Sequence, residues 1–423
     1  MLKKFANSTL VKHSGIYTVS TLINAAIPFL LLPVLTRYLS TTDYGIIATF
    51  QTLISFFIPI IGLNTQTAII RRQYDSEKID FAKYVTTCVG ILVANTLLLI
   101  LLLVPLYPFI SDIAEFPSMW FWTIIAVTFF QYLFTLILGI WQANGKVYKY
   151  ALFQNSQTIL NLFASLLLVI SFQMNWQGRV IAQTASMLIF GILSLIILYQ
   201  MGFLRTQFSK KYFNDALKFA LPLIPYSFTG WVLYTMDRIF INNMIGLAET
   251  GLYAVAFQVS MLIGLLQASF NNAWVPWFYN QIRRNDIGLN LKIVRFTYAF
   301  IIVNFLFAFS LILLAPGLFN FFLGKDFYQA SNYLWWLALA QAASAIHVIT
   351  VSYINLHNKN IYLTYASIFI ALVHIPLTYY LLKLNGTIGA AQSLFISNMA
   401  ASIITFFIAV HLHKMPWLLK HKY

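Results

Sequence analysis

Asp237 and Arg238 form a charged pair inside a long apolar stretch, and they are the residues of this sequence best suited to do chemistry. The 18 residues Phe219–Met236 carry no charge, and none follows the pair until Glu249. An ionised group inside a membrane is costly unless it faces protein or water. We therefore predict that Arg238 lines a hydrated cavity and binds an anionic group, while Asp237 tunes it or carries a coupling cation. The alternative is that both residues make salt bridges that only hold helices together.

The element that positions this pair is predicted to be one transmembrane helix over about residues 216–246. The uncharged run before the pair is long enough to begin a membrane span. Polar and aromatic residues recur in it at spacings of three and four, which places them on one face of a helix. These residues are Ser227, Trp231, Tyr234, Arg238 and Asn242. Asp237 lies about 100° away around the helix, so it does not pair with Arg238 along that face.

The composition of the whole chain indicates a polytopic membrane protein. Hydrophobic residues make up 60% of the chain and charged residues 9%, whereas soluble domains have roughly 45–50% and 25%. Splitting the sequence at its charged residues leaves twelve windows, each long enough for one span. The windows are 13–36, 44–70, 84–111, 116–145, 150–178, 180–204, 219–236, 250–282, 296–324, 327–358, 360–382 and 384–413. We predict an all-α fold of about 12 transmembrane helices, in two six-helix halves around a central cavity.

Membrane topology accounts for most of the net charge of +15. With the N-terminus inside, 21 of the 26 lysines and arginines fall on inner segments. The outer connections hold Arg37, Arg179, Lys325 and Lys383. This bias is the positive-inside pattern. It predicts a multi-pass protein of a cytoplasmic membrane with both termini in the cytoplasm, and it makes a nucleic-acid partner unnecessary.

The sequence offers little for catalysis or metal binding. Cys88 is the single cysteine, and the seven histidines show no clustered ligand pattern. We expect His347, for example, to be a hydrogen-bonded core residue rather than a proton carrier. The phosphate-binding loop G-x-x-x-x-G-K-[ST] is absent from the sequence, and the predicted connections are too short for a catalytic domain. We therefore predict no metal, no cofactor and no enzymatic activity.

Polar residues in other predicted helices are candidates for lining the same cavity. Asn24, Gln51, Asn161 and Gln258 are the main ones, and Asn161 belongs to a stripe with three- and four-residue spacing. Such stripes also serve as hydrogen-bonding contacts between helices, and this alternative stays open. Arg37, at the predicted outer end of the first helix, is either an interfacial anchor or a residue of the cavity mouth.

A short internal repeat supports a division into two halves. Residues 37–51, RYLSTTDYGIIATFQ, resemble residues 243–258, NMIGLAETGLYAVAFQ, with one residue inserted. Both copies join an odd-numbered to an even-numbered predicted helix, so the halves have the same membrane orientation, as in transporters built from parallel repeats. We place the N-terminal half at 1–202, a cytoplasmic linker at 203–215 and the C-terminal half at 216–423.

Two segments carry a resemblance to a known family. They are PVLTRYLSTTDYG, at Pro33–Gly45, and MDRIFINNMIG followed by Gly251 and Tyr253. Together with the twelve-span layout, they resemble the polysaccharide-repeat-unit flippases. These are Wzx-type O-antigen and capsule translocases of the multidrug/oligosaccharidyl-lipid/polysaccharide exporter superfamily. The resemblance implies a bacterial inner-membrane protein that moves undecaprenyl-pyrophosphate-linked oligosaccharide from the cytoplasmic to the periplasmic leaflet by alternating access. Arg37, Asp237 and Arg238 are the positions that carry over.

The substrate implied by the resemblance has chemical groups that the candidate residues could bind. A pyrophosphate suits the forked donors of arginine, and a sugar chain suits the polar and aromatic candidates, which are Asn24, Gln51, Asn161, Tyr234 and Gln258. The implied partners are the lipid-linked oligosaccharide, membrane lipid, and a polysaccharide polymerase and chain-length regulator. Two alternatives remain: a multidrug or cation exporter of the same superfamily, and a membrane polysaccharide polymerase using acids such as Asp112 and Glu115.

Overall fold

The computed structural model describes residues 9–75, 77, 79–205, 207–282 and 287–417. Every regular element in these ranges is a helix. Eleven helical segments among them are long and apolar enough to cross a membrane, and Ile23–Tyr38 is a shorter apolar segment. The predicted all-α polytopic fold is confirmed, and the first predicted window falls on the helix that contains Ile23–Tyr38. Both chain termini, predicted to be cytoplasmic, lie outside the described residues.

The helices are numbered here in chain order. They are α1 (Thr9–Tyr38), α2 (Thr41–Gly62), α3 (Thr65–Gln73), α4 (Phe81–Leu103), α5 (Tyr107–Ala114), α6 (Phe121–Ala143), α7 (Val147–Leu166), α8 (Asn175–Gln200), α9 (Lys210–Ala220), α10 (Ile224–Tyr234), α11 (Asp237–Met244), α12 (Leu247–Ile282), α13 (Ile287–Phe322), α14 (Ser331–Leu356), α15 (Asn360–Asn385) and α16 (Thr387–Leu412). Short 3-10 turns cover Ser118–Trp120, Leu221–Leu223 and Lys325–Ala330, and a π-helical turn, Leu167–Ser171, extends α7.

The chain divides into two compact units, Met1–Trp231 and Val232–Tyr423, called here the N-terminal and C-terminal units. This division lies later in the chain than the predicted linker at 203–215, because the described residues after that linker pack with the N-terminal unit. Trp231 donates from Nε1 to the carbonyl of Thr52 at 3.0 Å. The predicted division into six-helix halves stays a prediction.

The N-terminal unit is built around α6, whose buried face includes Leu133 and Ile137. Close helix approach depends on small residues. A Cβ added at Gly191 of α8 would lie 2.5 Å from the ring of Phe130, so the two helices approach more closely there than a larger residue would allow. Among the N-terminal helices, α2 begins with a capping box. Ser40 Oγ accepts from the backbone N–H of Asp43, and the Asp43 carboxylate accepts from that of Ser40.

The C-terminal unit packs around α14, which contacts α12, α13 and α16. Its buried face is rich in alanine, and Ala340, Ala342, Ala343 and Ala345 have no exposed surface. Small side chains let neighbouring helix backbones come close, which is how helices associate in a membrane without a hydrophobic driving force. Two polar side chains of α16 use this closeness, because Asn398 and Ser402 donate to backbone carbonyls of α14.

The helix predicted over residues 216–246 is not continuous, and this prediction was wrong. A 3-10 turn containing Pro222 separates α9 from α10, since proline cannot donate to a helical ladder. A second break follows Tyr234, and α11 begins at Asp237. At this break the N–H of Arg238 bonds the carbonyl of Thr235 at 3.3 Å instead of that of Tyr234. Nη1 of Arg238 donates a hydrogen bond to the Tyr234 carbonyl at 2.7 Å. The Arg238 side chain thus bonds a backbone carbonyl at the end of α10.

Candidate functional site

Arg238 lies at the start of α11 with 8% of its surface exposed. Its guanidinium carbon lies 4.7 Å from the centre of the Phe257 ring, a cation–π contact that stabilises a desolvated cation. Its guanidinium donates a hydrogen bond to the Tyr234 carbonyl. The side chain is therefore held by a backbone carbonyl and an aromatic face, and the predicted stripe through Tyr234 and Arg238 is interrupted by the helix break.

Asp237 accepts hydrogen bonds from three side chains in the C-terminal unit. The hydroxyl of Tyr253 donates at 2.8 Å, Nε2 of His374 lies at 3.1 Å, and the hydroxyl of Thr378 lies at 3.5 Å. Asp237 is 1% exposed, and Tyr253, His374 and Thr378 have no exposed surface. We call these four residues the Asp–His site.

His374 connects the carboxylate to hydroxyl groups on α16. Its Nδ1 lies 2.8 Å from Ser397 Oγ and 3.1 Å from Ser393 Oγ, and Ser393 also bonds the hydroxyl of Thr378 at 2.7 Å. The site therefore joins α11, α12, α15 and α16 around one imidazole. Since an imidazole has two ring nitrogens that exchange donor and acceptor roles, this arrangement can hold or pass a proton beside the carboxylate.

Sequence reasoning missed His374, because it searched the histidines for clustered metal ligands. One sequence signal was available: His374 and Thr378 are four apart on α15, and Ser393 and Ser397 are four apart on α16. Each pair therefore places its polar groups on one face of an otherwise apolar helix. In the described part of the chain, no three His, Cys, Asp or Glu side chains converge as metal ligands.

Three predicted substrate-binding residues, Asn24, Gln51 and Asn161, lie in the N-terminal unit, where each contacts another polar side chain. Asn24 donates to the Asn155 side chain at 2.6 Å, and Gln51 donates to the Gln183 side chain at 2.5 Å. Asn161 accepts from a guanidinium, described next. These contacts correspond to the alternative of hydrogen bonding between helices.

Arg179, predicted to lie in an outer connection, is instead the fifth residue of α8. The windows were cut at charged residues, so an arginine inside a helix was assigned to a boundary. Nη1 of Arg179 donates to Asn161 Oδ1 at 2.7 Å and to Ser165 Oγ at 2.6 Å. Neither Arg179 nor its role was among the predicted site residues.

The remaining candidates are dispersed. Arg37 is exposed in the last turn of α1. Gln258 is half-buried on α12, directly after the Phe257 residue that contacts Arg238. Tyr234 is 37% exposed, and its contact with Arg238 is made by its backbone carbonyl. His347 bonds Thr405 of α16 through Nδ1 at 3.2 Å, as expected for a core histidine.

An ion pair joins α3 to α9 within the N-terminal unit. Arg72 binds the Asp215 carboxylate through Nη2 at 2.5 Å and Nε at 3.1 Å, and Tyr84 donates to the same carboxylate at 3.0 Å. The bond to Asp215 raises the pKa of Arg72 above its ordinary value. Arg72 therefore serves as a paired, structural cation, in contrast to Arg238 and Arg179.

Comparison with known sequences gives one family. The model of the family described as "Polysaccharide biosynthesis protein" matches residues 10–281. The "Lsg locus putative protein 1" of Haemophilus influenzae is 24% identical over 369 residues, covering 86% of this chain and 89% of that protein. An "Uncharacterized membrane protein" of the same organism is 23% identical over 379 residues, covering 87% and 89%.

Two solved structures share the fold across most of both chains. The inward closed conformation of the lipid II flippase MurJ has a TM-score of 0.73 and 16% sequence identity, covering 94% of this chain and 87% of that one. An inward-facing multidrug resistance MATE family transporter of the MOP superfamily has a TM-score of 0.72 and 15% identity, covering 93% and 94%. At these identities the similarity establishes the fold, which flippases and drug transporters share.

Proposed function

Because the chain belongs to the polysaccharide biosynthesis protein family, we propose that it translocates undecaprenyl-pyrophosphate-linked oligosaccharide repeat units, precursors of O-antigen or capsule. The family match confirms the resemblance to the polysaccharide flippases and their exporter superfamily. Translocation runs from the cytoplasmic to the periplasmic leaflet by alternating access, in a bacterial inner membrane with both termini cytoplasmic. The observation that carries the proposal is the pairing of a polysaccharide-family sequence with a fold shared by a lipid II flippase and transporters.

Arg238 is proposed to bind the pyrophosphate. Its guanidinium lies at a break in a membrane helix, and the contacts that it makes among the described residues are with a backbone carbonyl and an aromatic ring. Such a cation keeps its charge available to an anionic ligand. Arg37, Tyr234, Asn24, Gln51, Asn161 and Gln258 remain proposals for contacts with the headgroup or sugars. A polysaccharide polymerase and a chain-length regulator are the proposed protein partners, and the chain itself is proposed not to be an enzyme.

Asp237 is proposed to couple transport to a cation. Its carboxylate is engaged by an imidazole and two hydroxyl groups that can donate in its ionised form and rearrange when it is neutralised. The test compares Asp237→Asn with wild type in proteoliposomes that hold an imposed proton or sodium gradient. The coupled wild type transports faster with one gradient, and Asp237→Asn loses that response. If Asp237→Asn responds to the same gradient as wild type, Asp237 is not the coupling residue.

The experiment that tests the function uses a strain deleted for this chain. Surface glycan is measured on gels and by lectin staining, together with the leaflet in which lipid-linked repeat units accumulate. Loss of glycan with repeat units on the cytoplasmic side supports translocation. Normal glycan overturns the proposal, whereas loss of long chains with single units still exported favours a polymerase.

Variants then test Arg238 in the complemented strain. Arg238→Ala is expected to abolish glycan export at normal membrane abundance, while Arg238→Lys, which keeps the charge but not the fork, restores part of it. Arg205→Ala is the matched control, since Arg205 is exposed and pairs with Asp80 at 3.5 Å outside the membrane-spanning helices. Export by Arg238→Ala equal to the control removes Arg238 from the mechanism.

A multidrug exporter is the second candidate, because the MATE transporter matches the fold as well as the lipid II flippase does. The two functions separate by substrate. A drug exporter lowers sensitivity to cationic compounds when overproduced and leaves surface glycan unchanged when deleted. Growth of the deletion and overproducing strains in such compounds, alongside the glycan assay, distinguishes the two.

A further inference from the structure

Arg179 is a charged residue inside a membrane-spanning helix of the N-terminal unit. It lies about 13 Å from the midpoint of α8 at roughly 1.5 Å per residue, near the edge of a hydrocarbon core that is about 30 Å thick. An arginine at such a depth can extend toward water. Arg179 instead directs Nη1 to Asn161 and Ser165 of α7, inside its own unit. Its position is therefore fixed by the protein.

The partners of Arg179 leave its charge uncompensated. Both are neutral, and Ser165 additionally donates to the Asn161 carbonyl at 2.6 Å, which fixes the pair on α7. Among the described residues, the ion pairs of the N-terminal unit are made by Arg72 and Arg205, and none includes Arg179. An arginine stays protonated in proteins. Arg179 therefore carries a full positive charge, and it donates hydrogen bonds to the neutral side chains of Asn161 and Ser165.

The same contacts leave donors available. Within the described part of the chain, Nε and Nη2 of Arg179 and Nδ2 of Asn161 have no hydrogen-bond partner in the structure, and both side chains are partly exposed. Nε and Nη2 form one edge of the planar guanidinium, which matches two oxygens of a carboxylate or phosphate. The amide nitrogen of Asn161, on the side chain that holds Nη1, is a third available donor.

We infer that Arg179, Asn161 and Ser165 form an oxyanion-binding site in the N-terminal unit, separate from Arg238. Ser165 and the side-chain carbonyl oxygen of Asn161 hold Nη1, while Nε and Nη2 bind the anion and the Asn161 amide donates to a further oxygen of the same ligand. The identity of the anion rests on the proposed function: it is a phosphate oxygen of the pyrophosphate bridge or a carboxylate of an acidic sugar. With the predicted topology, the site lies at the outer end of α8, where a translocated headgroup arrives.

The decisive variant is Asn161→Asp. It keeps the side-chain shape and places a carboxylate at the position of an oxygen that already lies 2.7 Å from Nη1. An internal counter-ion stabilises the arginine in place, so this variant is expected to fold at least as well as wild type. The internal carboxylate also repels an incoming anion and removes the Asn161 donor. If Arg179 has only a structural role, Asn161→Asp should retain its stability and show no change in anion binding.

The assay is the thermal unfolding midpoint of purified full-length protein in detergent, titrated with inorganic pyrophosphate or with glucuronate at constant ionic strength. Wild type and Arg205→Gln are expected to gain stability with one of the two probes, since a ligand that binds the folded state raises the midpoint. Asn161→Asp and Arg179→Gln are expected to bind that probe at least about tenfold more weakly, because they lose charge-assisted hydrogen bonds.

The probe that works identifies the source of the oxyanion, phosphate or carboxylate. Unchanged affinity in Asn161→Asp overturns the inference even if Arg179→Gln fails to fold. A wild-type protein that responds to neither probe at millimolar concentration also overturns it. Neither result bears on the proposed function, which fails separately if the deletion strain makes normal surface glycan.

Discussion

The Asp–His site predicts an asymmetric response to mutation. In His374→Ala the Asp237 carboxylate, 1% exposed, loses its imidazole partner and keeps only hydroxyl donors. Leaving a buried charged group without its partner costs about 3–5 kcal/mol. In Asp237→Asn the imidazole that remains can be neutral and still bonds Ser397 at 2.8 Å. The loss is then closer to one charge-assisted hydrogen bond, about 1.5–3 kcal/mol. We therefore expect His374→Ala to be the more destabilising change.

The double variant Asp237→Asn/His374→Ala carries no buried charge at this site, so its loss of stability should be smaller than the sum of the two single losses. Coupling energies between contacting residues are about 0.5–3 kcal/mol, and the upper part of that range is expected here. The alternative value, about 0.6 kcal/mol, is the average measured for hydrogen bonds between membrane helices. The size of the coupling thus separates an ion pair from an ordinary hydrogen bond.

The measurement is thermal unfolding of the four purified proteins in one detergent, followed by intrinsic fluorescence. On the scale of soluble domains, where each kcal/mol shifts the midpoint by about 2–4 °C, His374→Ala should fall by on the order of 10 °C. His347→Ala is the matched control, since that imidazole bonds the Thr405 hydroxyl at 3.2 Å and no carboxylate. Additive single losses, or equal midpoints for His374→Ala and His347→Ala, would refute the assignment of a buried pair.

Three further predictions concern the ends of helices. A Cβ at Gly389 would lie 2.0 Å from a backbone carbonyl oxygen of the preceding helix. Gly389→Ala should therefore lower the unfolding midpoint by the equivalent of about 1–3 kcal/mol. Gly90→Ala, which has open space around it, is the control and should not lower the midpoint. Arg72→Lys should behave like Arg72→Gln in the same assay, because lysine cannot supply two parallel donors to Asp215. Both variants should lose about 1 kcal/mol of stability or less, because the pair with Asp215 is partly exposed. Burial lowers the pKa of His413 in the folded protein. Below pH 6.5 the unfolded chain therefore binds more protons than the folded protein does. Stability should fall as the pH drops from 7 to 5, and it should fall less steeply in His413→Gln.

Helix positions could be predicted from the sequence because long uncharged runs require a helix in a membrane whatever their neighbours are. The break after Tyr234 could not be predicted in the same way. It contains neither proline nor glycine, and it coincides with a hydrogen bond from the Arg238 side chain to the Tyr234 carbonyl. Cutting windows at charged residues also hid Arg179, since a charge within a helix looks the same as a charge at its end.

The candidate site was predictable only in part. Asp237 and Arg238 were found because an ionisable group in an apolar run is conspicuous. Their partners were not, because His374 is 137 residues away in the chain and the helices between them have equivalent apolar patterns. The polar stripes through Asn24, Gln51 and Asn161 are compatible with a cavity or with helix contacts. Their hydrogen-bond partners within the N-terminal unit can be identified only once the helices are positioned.

The connection between α15 and α16 consists of Gly386 alone, and its φ of +61° is one that glycine adopts without strain. Because one residue joins the two helices and their backbones are in contact at Gly389, we expect them to have little freedom to move independently. The Asp–His site includes His374 of α15, whose Nδ1 bonds Ser397 of α16. A rearrangement at the imidazole is therefore expected to act on both helices together.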